Sequence, residues 1–234
     1  MQSPFANLTP VVKNLIIINI IVYIAMFALG DYVNLVKYLA AFYFNSPNFK
    51  PWQIITYMFM HDPGGISHIL FNMFALFSFG PILESTLGSK RFFNFYFITG
   101  IGALLLHMFV QGLEVHNLIG SFTLGGADVN NISEAALQSV YSIYRTPILG
   151  ASGAIFGVLV GFGMLFPNLE LMILFIPVPV KAKYIIPVYI VLELFLGVKQ
   201  YSGDSVAHFA HLGGALFGFL LIKLWGVKRP NNYQ

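Results

Sequence analysis

The chain has 234 residues, of which 57% are hydrophobic and only 9% charged, with a mean hydropathy of +0.77. A soluble domain carries about 25% charged residues, so this composition points to a multi-span membrane protein. The net charge of +3 is scattered, which argues against nucleic-acid binding, and the absence of cysteine excludes disulfides, thiol chemistry and cysteine-held zinc.

Six apolar runs follow one another at about 15–29, 66–83, 92–110, 152–166, 184–197 and 206–225. They predict an all-α polytopic membrane helix bundle of six transmembrane spans, one domain over 1–234. The first run follows a single basic residue, Lys13, with no clean small-x-small cleavage site after it. It reads as a retained span and not as a signal peptide. Between the first two runs, residues 31–62 are rich in aromatics but broken by Pro, Asn and Lys, which suits a segment lying in the interface. Between the third and fourth runs lies a polar stretch, 111–145, whose part from 133 to 144 suits a short surface helix. Residues 167–183 read as a loop with prolines and lysines. No internal repeat is visible, which weighs against a transporter built from duplicated halves.

With the N-terminus inside, the inner ends carry Lys13, Lys90, Arg91, Lys181, Lys183, Lys223, Lys228 and Arg229, whereas the outer loops carry Lys37, Lys50, Arg145 and Lys199. This bias places both termini in the cytoplasm.

The fourth run, SGAIFGVLVGFGMLF, is short. As a helix of about 15 residues it covers ~22 Å of a hydrocarbon core ~30 Å thick. If Phe166-Pro167 marks the inner surface, Ser152 lies ~8–10 Å below the outer one. The preceding RTPILGA then enters the membrane as non-helical backbone, which is tolerated only when shielded by protein or lining a wet cavity. Ser152 would sit on the floor of a cavity open to the outside. Its amide is at a helix N-terminus, where the dipole favours negative charge.

His211 in the last run lies at the same inferred depth, and a histidine inside a span is a functional candidate by default. Gly214 and Gly218 form a small-residue strip on its side of the helix, and Gly153, Gly157 and Gly161 form another on the fourth span. Two such strips permit close approach. That contact would let His211 take the proton of Ser152 and make it nucleophilic. His68 and Asn72, four apart on one face of the second span, can both donate to an oxyanion together with the Ser152 amide. His208 is three residues before His211 and is expected at the cavity mouth, touching water or substrate. His61 is expected at the interface. Glu84 and Arg91 suggest a structural cluster at the inner end of the second span, and Glu193 a hydrogen bond to a neighbouring helix.

Each signal has a plainer reading. A span serine commonly bonds back to its own helix. Glycine strips are general packing devices, and His68 and Asn72 could simply bridge helices. Their agreement in depth and chemistry is what favours catalysis.

Gly150-Ala151-Ser152-Gly153, Ala210-His211 with Gly214 and Gly218, and His68-Ile69-Leu70-Phe71-Asn72 stand in order on the fourth, sixth and second spans. Together they resemble the rhomboid family of intramembrane serine proteases, in its bacterial-type six-span form. The resemblance covers about residues 15–225. It implies a Ser152–His211 dyad with no acid, His68 and Asn72 at the oxyanion, and no cofactor or metal. The implied partners are the lipid bilayer and transmembrane protein substrates, cut near the outer face after a small residue. The implied location is a bacterial inner membrane. Three departures stand out. Gln53 replaces the arginine usual after Trp52, which puts that loop's anchoring in question. Phe156 stands where a tyrosine often packs on the histidine. The 111–145 segment is long.

Two other functions compete. A catalytically inactive rhomboid-like client-binding protein would lack the serine or the histidine, and both are present. A small transporter would explain the buried polar groups but not the Gly-Ala-Ser-Gly at a mid-membrane helix start. A metal-dependent intramembrane protease would need a His-Glu-x-x-His helix and an aspartyl type would need paired span aspartates; neither is found.

Overall fold

The computed structural model describes residues 8–30, 32–128, 131–173, 176–199 and 208–230. Nine α-helices fall within them: α1 (Pro10–Ala28), α2 (Leu35–Leu39), α3 (Gln53–Thr56), α4 (Ile66–Leu87), α5 (Ser89–Ile119), α6 (Glu134–Arg145), α7 (Ser152–Leu165), α8 (Ala182–Lys199) and α9 (His208–Leu224). Among the described residues each of the six apolar runs is built on a helix. Three segments, Pro10–Ala28, Ile66–Leu87 and Ser89–Gly126, are long and apolar enough to cross a membrane; α7 and α9 are shorter apolar helices. The start of the sixth run, residues 206–207, lies outside the described residues.

The all-helical expectation needs one correction. The loop at 167–183 contains a two-stranded antiparallel hairpin, β1 (Glu170–Ile173) with β2 (Ile176–Lys181), in which Glu170 faces Lys181 and Leu171 faces Val180. A hairpin this small tolerates the prolines of β2, because both strands are edges and a missing amide need not break a ladder.

The helices sort by burial. α7 is apolar all round and buried along almost its whole length, from Gly153 to Phe162 and again at Leu165. Such a helix belongs at the centre of a bundle, and α4, α5, α8 and α9 pack around it. The outer helices turn apolar side chains outward, such as Ile17, Ile21 and Ile24 on α1, Phe71 and Phe74 on α4, and Val188 and Val191 on α8. Those faces suit hydrocarbon, not water.

Two joints set the frame. A single residue, Gly88, separates α4 from α5; its φ of 80° is the positive value that lets the chain reverse there, and its N–H donates to Glu84 O at 2.8 Å. Glu84 itself closes the start of α1. Its two carboxylate oxygens accept the N–H groups of Val11 and Val12 at 3.1 and 3.0 Å, and Ser89 Oγ donates to it at 2.7 Å. A carboxylate at a helix N-terminus satisfies first-turn amides and complements the dipole. Glu84 is therefore the structural residue expected, but it works through α1, and Arg91 is exposed.

The 111–145 segment now has a role. α5 runs 31 residues, about 46 Å, well beyond its apolar run. Its C-terminal end meets α6 over a second small core of Tyr43, Val115, Ile119, Val140 and Tyr144. Tyr43 Oη donates to Phe122 O at 2.9 Å, Ser46 Oγ to Tyr144 O at 2.6 Å, and Tyr144 Oη to Asn45 Oδ1 at 2.8 Å. The segment braces the loop between α1 and α4 and delivers the chain to α7.

Candidate active site

The approach to Ser152 is non-helical and shielded. Ile148 and Ala41 exchange two backbone hydrogen bonds of 2.7 and 2.9 Å, and Gly150 N–H donates to Tyr57 O at 3.1 Å. Tyr57 is held in turn by a 2.6 Å bond from its hydroxyl to Gly100 O. Backbone that leaves the helical state inside a membrane protein must find partners in this way.

Gly150 has a φ of 130°, a conformation that side chains rarely adopt. A Cβ placed there would stand 3.1 Å from His68 Nε2 and 3.4 Å from Ser152 Oγ. Gly150 therefore leaves open the space that these two groups flank. His68 Nδ1 accepts from the Asp62 N–H at 3.3 Å, so in the neutral ring the proton resides on Nε2, the nitrogen facing that space. Asn72 is buried, and its Nδ2 donates to His68 O at 3.0 Å; the second N–H of the amide is not used in that bond.

The two glycine strips meet. A methyl group on Gly214 would collide with the Gly153 carbonyl, and one on Gly218 would lie 2.7 Å from Gly157 O. Backbone-to-backbone contact of α7 and α9 brings His211 Nε2 to 2.8 Å from Ser152 Oγ. Ser152 is partly exposed, whereas His211 is buried. Phe156, one turn into α7, stacks on the His211 ring with centroids 4.3 Å apart and planes 7° from parallel. Its own outer side meets Tyr189 of α8 at 5.2 Å.

One residue lies elsewhere than expected. His208 is not at a cavity mouth. It is buried, with Nδ1 2.7 Å from Glu193 Oε2. His211 Nδ1 reaches the same Glu193 oxygen at 2.8 Å. Glu193 does bond a neighbouring helix, as read from the sequence, but through both histidines of α9 at once. The resemblance implies a site without an acid; the structure has a buried carboxylate behind the histidine. The available signal was an acid inside a span, which is rare and commonly functional. Glu193, His208 and His211 also have ligand atoms within 4.8 Å of one another. Tetrahedral zinc at about 2.0–2.1 Å from each would hold these atoms about 3.3 Å apart. The 2.7 and 2.8 Å separations are hydrogen-bond lengths, so a metal would have to spread the three.

Gln53 resolves the first departure from the family pattern. It is fully buried; its Nε2 lies 3.1–3.3 Å from the carbonyls of Lys37, Tyr38 and Asn48, and its Oε1 accepts from the Lys50 N–H at 2.9 Å. Trp52 Nε1 and Thr56 Oγ1 add bonds to Tyr38 O and Leu39 O. One side-chain amide thus ties the loop together where an arginine was expected. His61 is fully buried within the protein, with its ring edge-on to His68 at 5.1 Å. Burial, helped by the neighbouring His68, pushes the His61 imidazole down to about 4.

The chain is similar to known proteins along most of its length. The chain is 29% identical to "Rhomboid protein 1, mitochondrial" of Saccharomyces cerevisiae over 65% of its length, a stretch that spans only 36% of the yeast protein. It is 28% identical to "Putative rhomboid protease YdcA" of Bacillus subtilis, covering 78% of this chain and 71% of that one. It is also 28% identical to "Rhomboid protease AarA" of Providencia stuartii, covering 88% and 69%. The family model described as "Rhomboid domain" matches residues 48–227, more than half of the sequence, a range that includes His68, Asn72, Ser152, Glu193 and His211. The chain is an integral membrane protein of the rhomboid family.

Proposed function

We propose that this chain is an intramembrane serine endopeptidase that hydrolyses peptide bonds in transmembrane segments, with Ser152 as nucleophile and His211 as general base. The observation that carries the reading is the 2.8 Å contact between Ser152 Oγ and His211 Nε2 at the N-terminus of the short central helix α7. A nucleophile and a base within hydrogen-bond reach, with the base oriented from behind, are the signature of an activated serine.

The reaction follows from the geometry. A substrate carbonyl carbon approaches Ser152 Oγ from the partly exposed side. As the Oγ–C bond forms, the serine proton passes to His211 Nε2 and the carbonyl electron pair moves onto oxygen. That oxygen develops in the space left by Gly150, faced by His68 Nε2, with the Asn72 amide and the Ser152 amide as further donors. His211 then returns its proton to the leaving nitrogen as the C–N bond breaks. Water attacks the acyl-enzyme by the same route in reverse and frees the serine. The Phe156 ring and the α7–α9 backbone contact keep the imidazole in line through both halves.

In this reading all six apolar helices cross the bilayer, both termini face the cytoplasm, and the chain works in a bacterial inner membrane without cofactor or metal. The short α7, ~21 Å long, leaves Ser152 below the outer surface but within reach of water. The test is labelling of the detergent-extracted protein by a fluorophosphonate, alongside cleavage of a model transmembrane substrate. Wild type should label and cleave, and Ser152→Ala should do neither. An unlabelled, inactive wild type would favour a client-binding role instead.

A further inference from the structure

Glu193 is a buried acid that the reaction above leaves unused, and unlike Glu84, the other buried acid among the described residues, it stands against the base. Its Oε2 stands 2.8 Å from His211 Nδ1 and 2.7 Å from His208 Nδ1. An ionised carboxylate is an acceptor only, so both ring nitrogens facing it are donors. For His211 the consequence is specific. With the Nδ1 proton held by Glu193, the neutral ring has its lone pair on Nε2, the nitrogen 2.8 Å from Ser152 Oγ. That is the tautomer a general base needs. Without Glu193 either tautomer is open to the ring, and in one of them Nε2 carries a proton and cannot accept another.

We propose that Glu193 is the positioning acid of a Ser152–His211–Glu193 triad, and that His208 is the second donor that keeps its carboxylate in place. The proposal rests on the protease reading above. Glu193 touches neither substrate nor serine and takes no proton. The serine proton goes to His211 Nε2 and later to the leaving amine, while the Nδ1–H stays on the ring throughout. Glu193 contributes by fixing the tautomer and the ring plane, and by facing the positive charge that His211 acquires in the transition state. Two features argue against simple packing. A carboxylate is costly in a span unless paired, and an apolar residue would fill the same position without that cost. Both donors converge on the single oxygen that also faces the base, whereas a structural carboxylate has no reason to engage the imidazole that touches Ser152.

The decisive variant is Glu193→Gln. Its amide can donate to His211 Nδ1 and so stabilise the wrong tautomer with nearly unchanged shape. The full chain in detergent should lose on the order of 10²–10⁴ in kcat, with KM within about twofold and an unchanged thermal midpoint. Glu193→Asp keeps the charge and should recover at least part of kcat. Histidine-selective ¹⁵N NMR of wild type, with His211→Gln to assign the signal, should show His211 protonated at Nδ1 and bare at Nε2, and Glu193→Gln should reverse this. Wild-type kcat in Glu193→Gln, or a wild-type His211 protonated at Nε2, would overturn the proposal and leave the protease reading standing. If Glu193→Gln does not fold, the wild-type NMR decides alone. A wild type that neither labels with fluorophosphonate nor cleaves would remove the protease reading and this inference with it.

Discussion

The rings of Phe156 and His211 are stacked, with centroids 4.3 Å apart and planes 7° from parallel. Phe156 lies one turn into α7 and His211 closes the first turn of α9, so the stack spans the same interface as the Ser152–His211 hydrogen bond. It blocks the imidazole from swinging out of line. An aromatic pair of this kind is worth about 0.5–1.5 kcal/mol beyond its buried area. Phe156→Ala should lower kcat by roughly three- to tenfold, while Phe156→Tyr keeps the ring and should keep the rate. Steady-state kinetics on a model transmembrane substrate will read this directly.

The glycine contact makes a sharper prediction. Gly214→Ala places a methyl group against the Gly153 carbonyl, a backbone atom that cannot rotate aside. Overpacking of this kind costs about 1–3 kcal/mol, and pushing α9 off α7 by about 1 Å costs on the order of 10² in rate. Both the thermal midpoint and turnover should fall. Gly125, with nothing within 4 Å of its would-be Cβ, is the control, and Gly125→Ala should match wild type.

The oxyanion donors should share their load. Removing a single donor in other enzymes costs on the order of 10²–10³ in kcat. His68→Ala and Asn72→Ala should each slow turnover by less than that, and the double variant by more than either. If all three variants cleave at the wild-type rate, the oxyanion is held by other groups. Gly150→Ala should join the slow set, because its methyl group would lie 3.1 Å from His68 Nε2 and its φ disfavours a side chain.

Gln53 should matter for stability rather than chemistry. Gln53→Ala strands the Lys50 N–H and the carbonyls it bridges, and each buried unsatisfied group costs about 1–3 kcal/mol. The loop between α1 and α4 should loosen, with a fall in thermal midpoint of several degrees and KM rising more than kcat falls. Equal stability in Gln53→Ala would show that water replaces the amide.

His61 makes stability depend on acid. Its folded value, about 4, lies below the ordinary 6.5. Below pH 6.5 the unfolded chain binds a proton that the folded chain refuses. Stability is therefore full above about 6.5 and is lost as pH falls toward 4, to a total on the order of 3 kcal/mol. Thermal midpoints in detergent should drop between pH 7 and pH 4.5. His61→Phe, which removes the titration, should flatten that drop.

Features of this chain are legible in its sequence to the extent that they are local. The membrane class, the positions of the six apolar helices, and Ser152, His211, His68 and Asn72 as candidates were legible from the sequence. Each rests on composition, on helical spacing, or on a motif of a few adjacent residues, and such features survive any tertiary arrangement. The surface helix was also legible, expected at 133–144 and found at Glu134–Arg145, because Ser133 is a good N-cap and its side chain accepts from Ala136 N.

Only the tertiary structure decided the rest. α5 runs on past its apolar run to Ile119, since Gln111, Glu114 and His116, though polar, do not break a helix. Gln53 takes three carbonyls that lie up to 16 residues away in sequence, a convergence that loop composition cannot announce. Glu193 was visible as an acid in a span, but which group it meets depends on the rotation of α8 about its axis and on its height beside α9. Eighteen residues and a helix boundary separate it from His211. One residue of drift turns a side chain by about 100°, enough to send that carboxylate into lipid rather than onto the imidazole that meets Ser152.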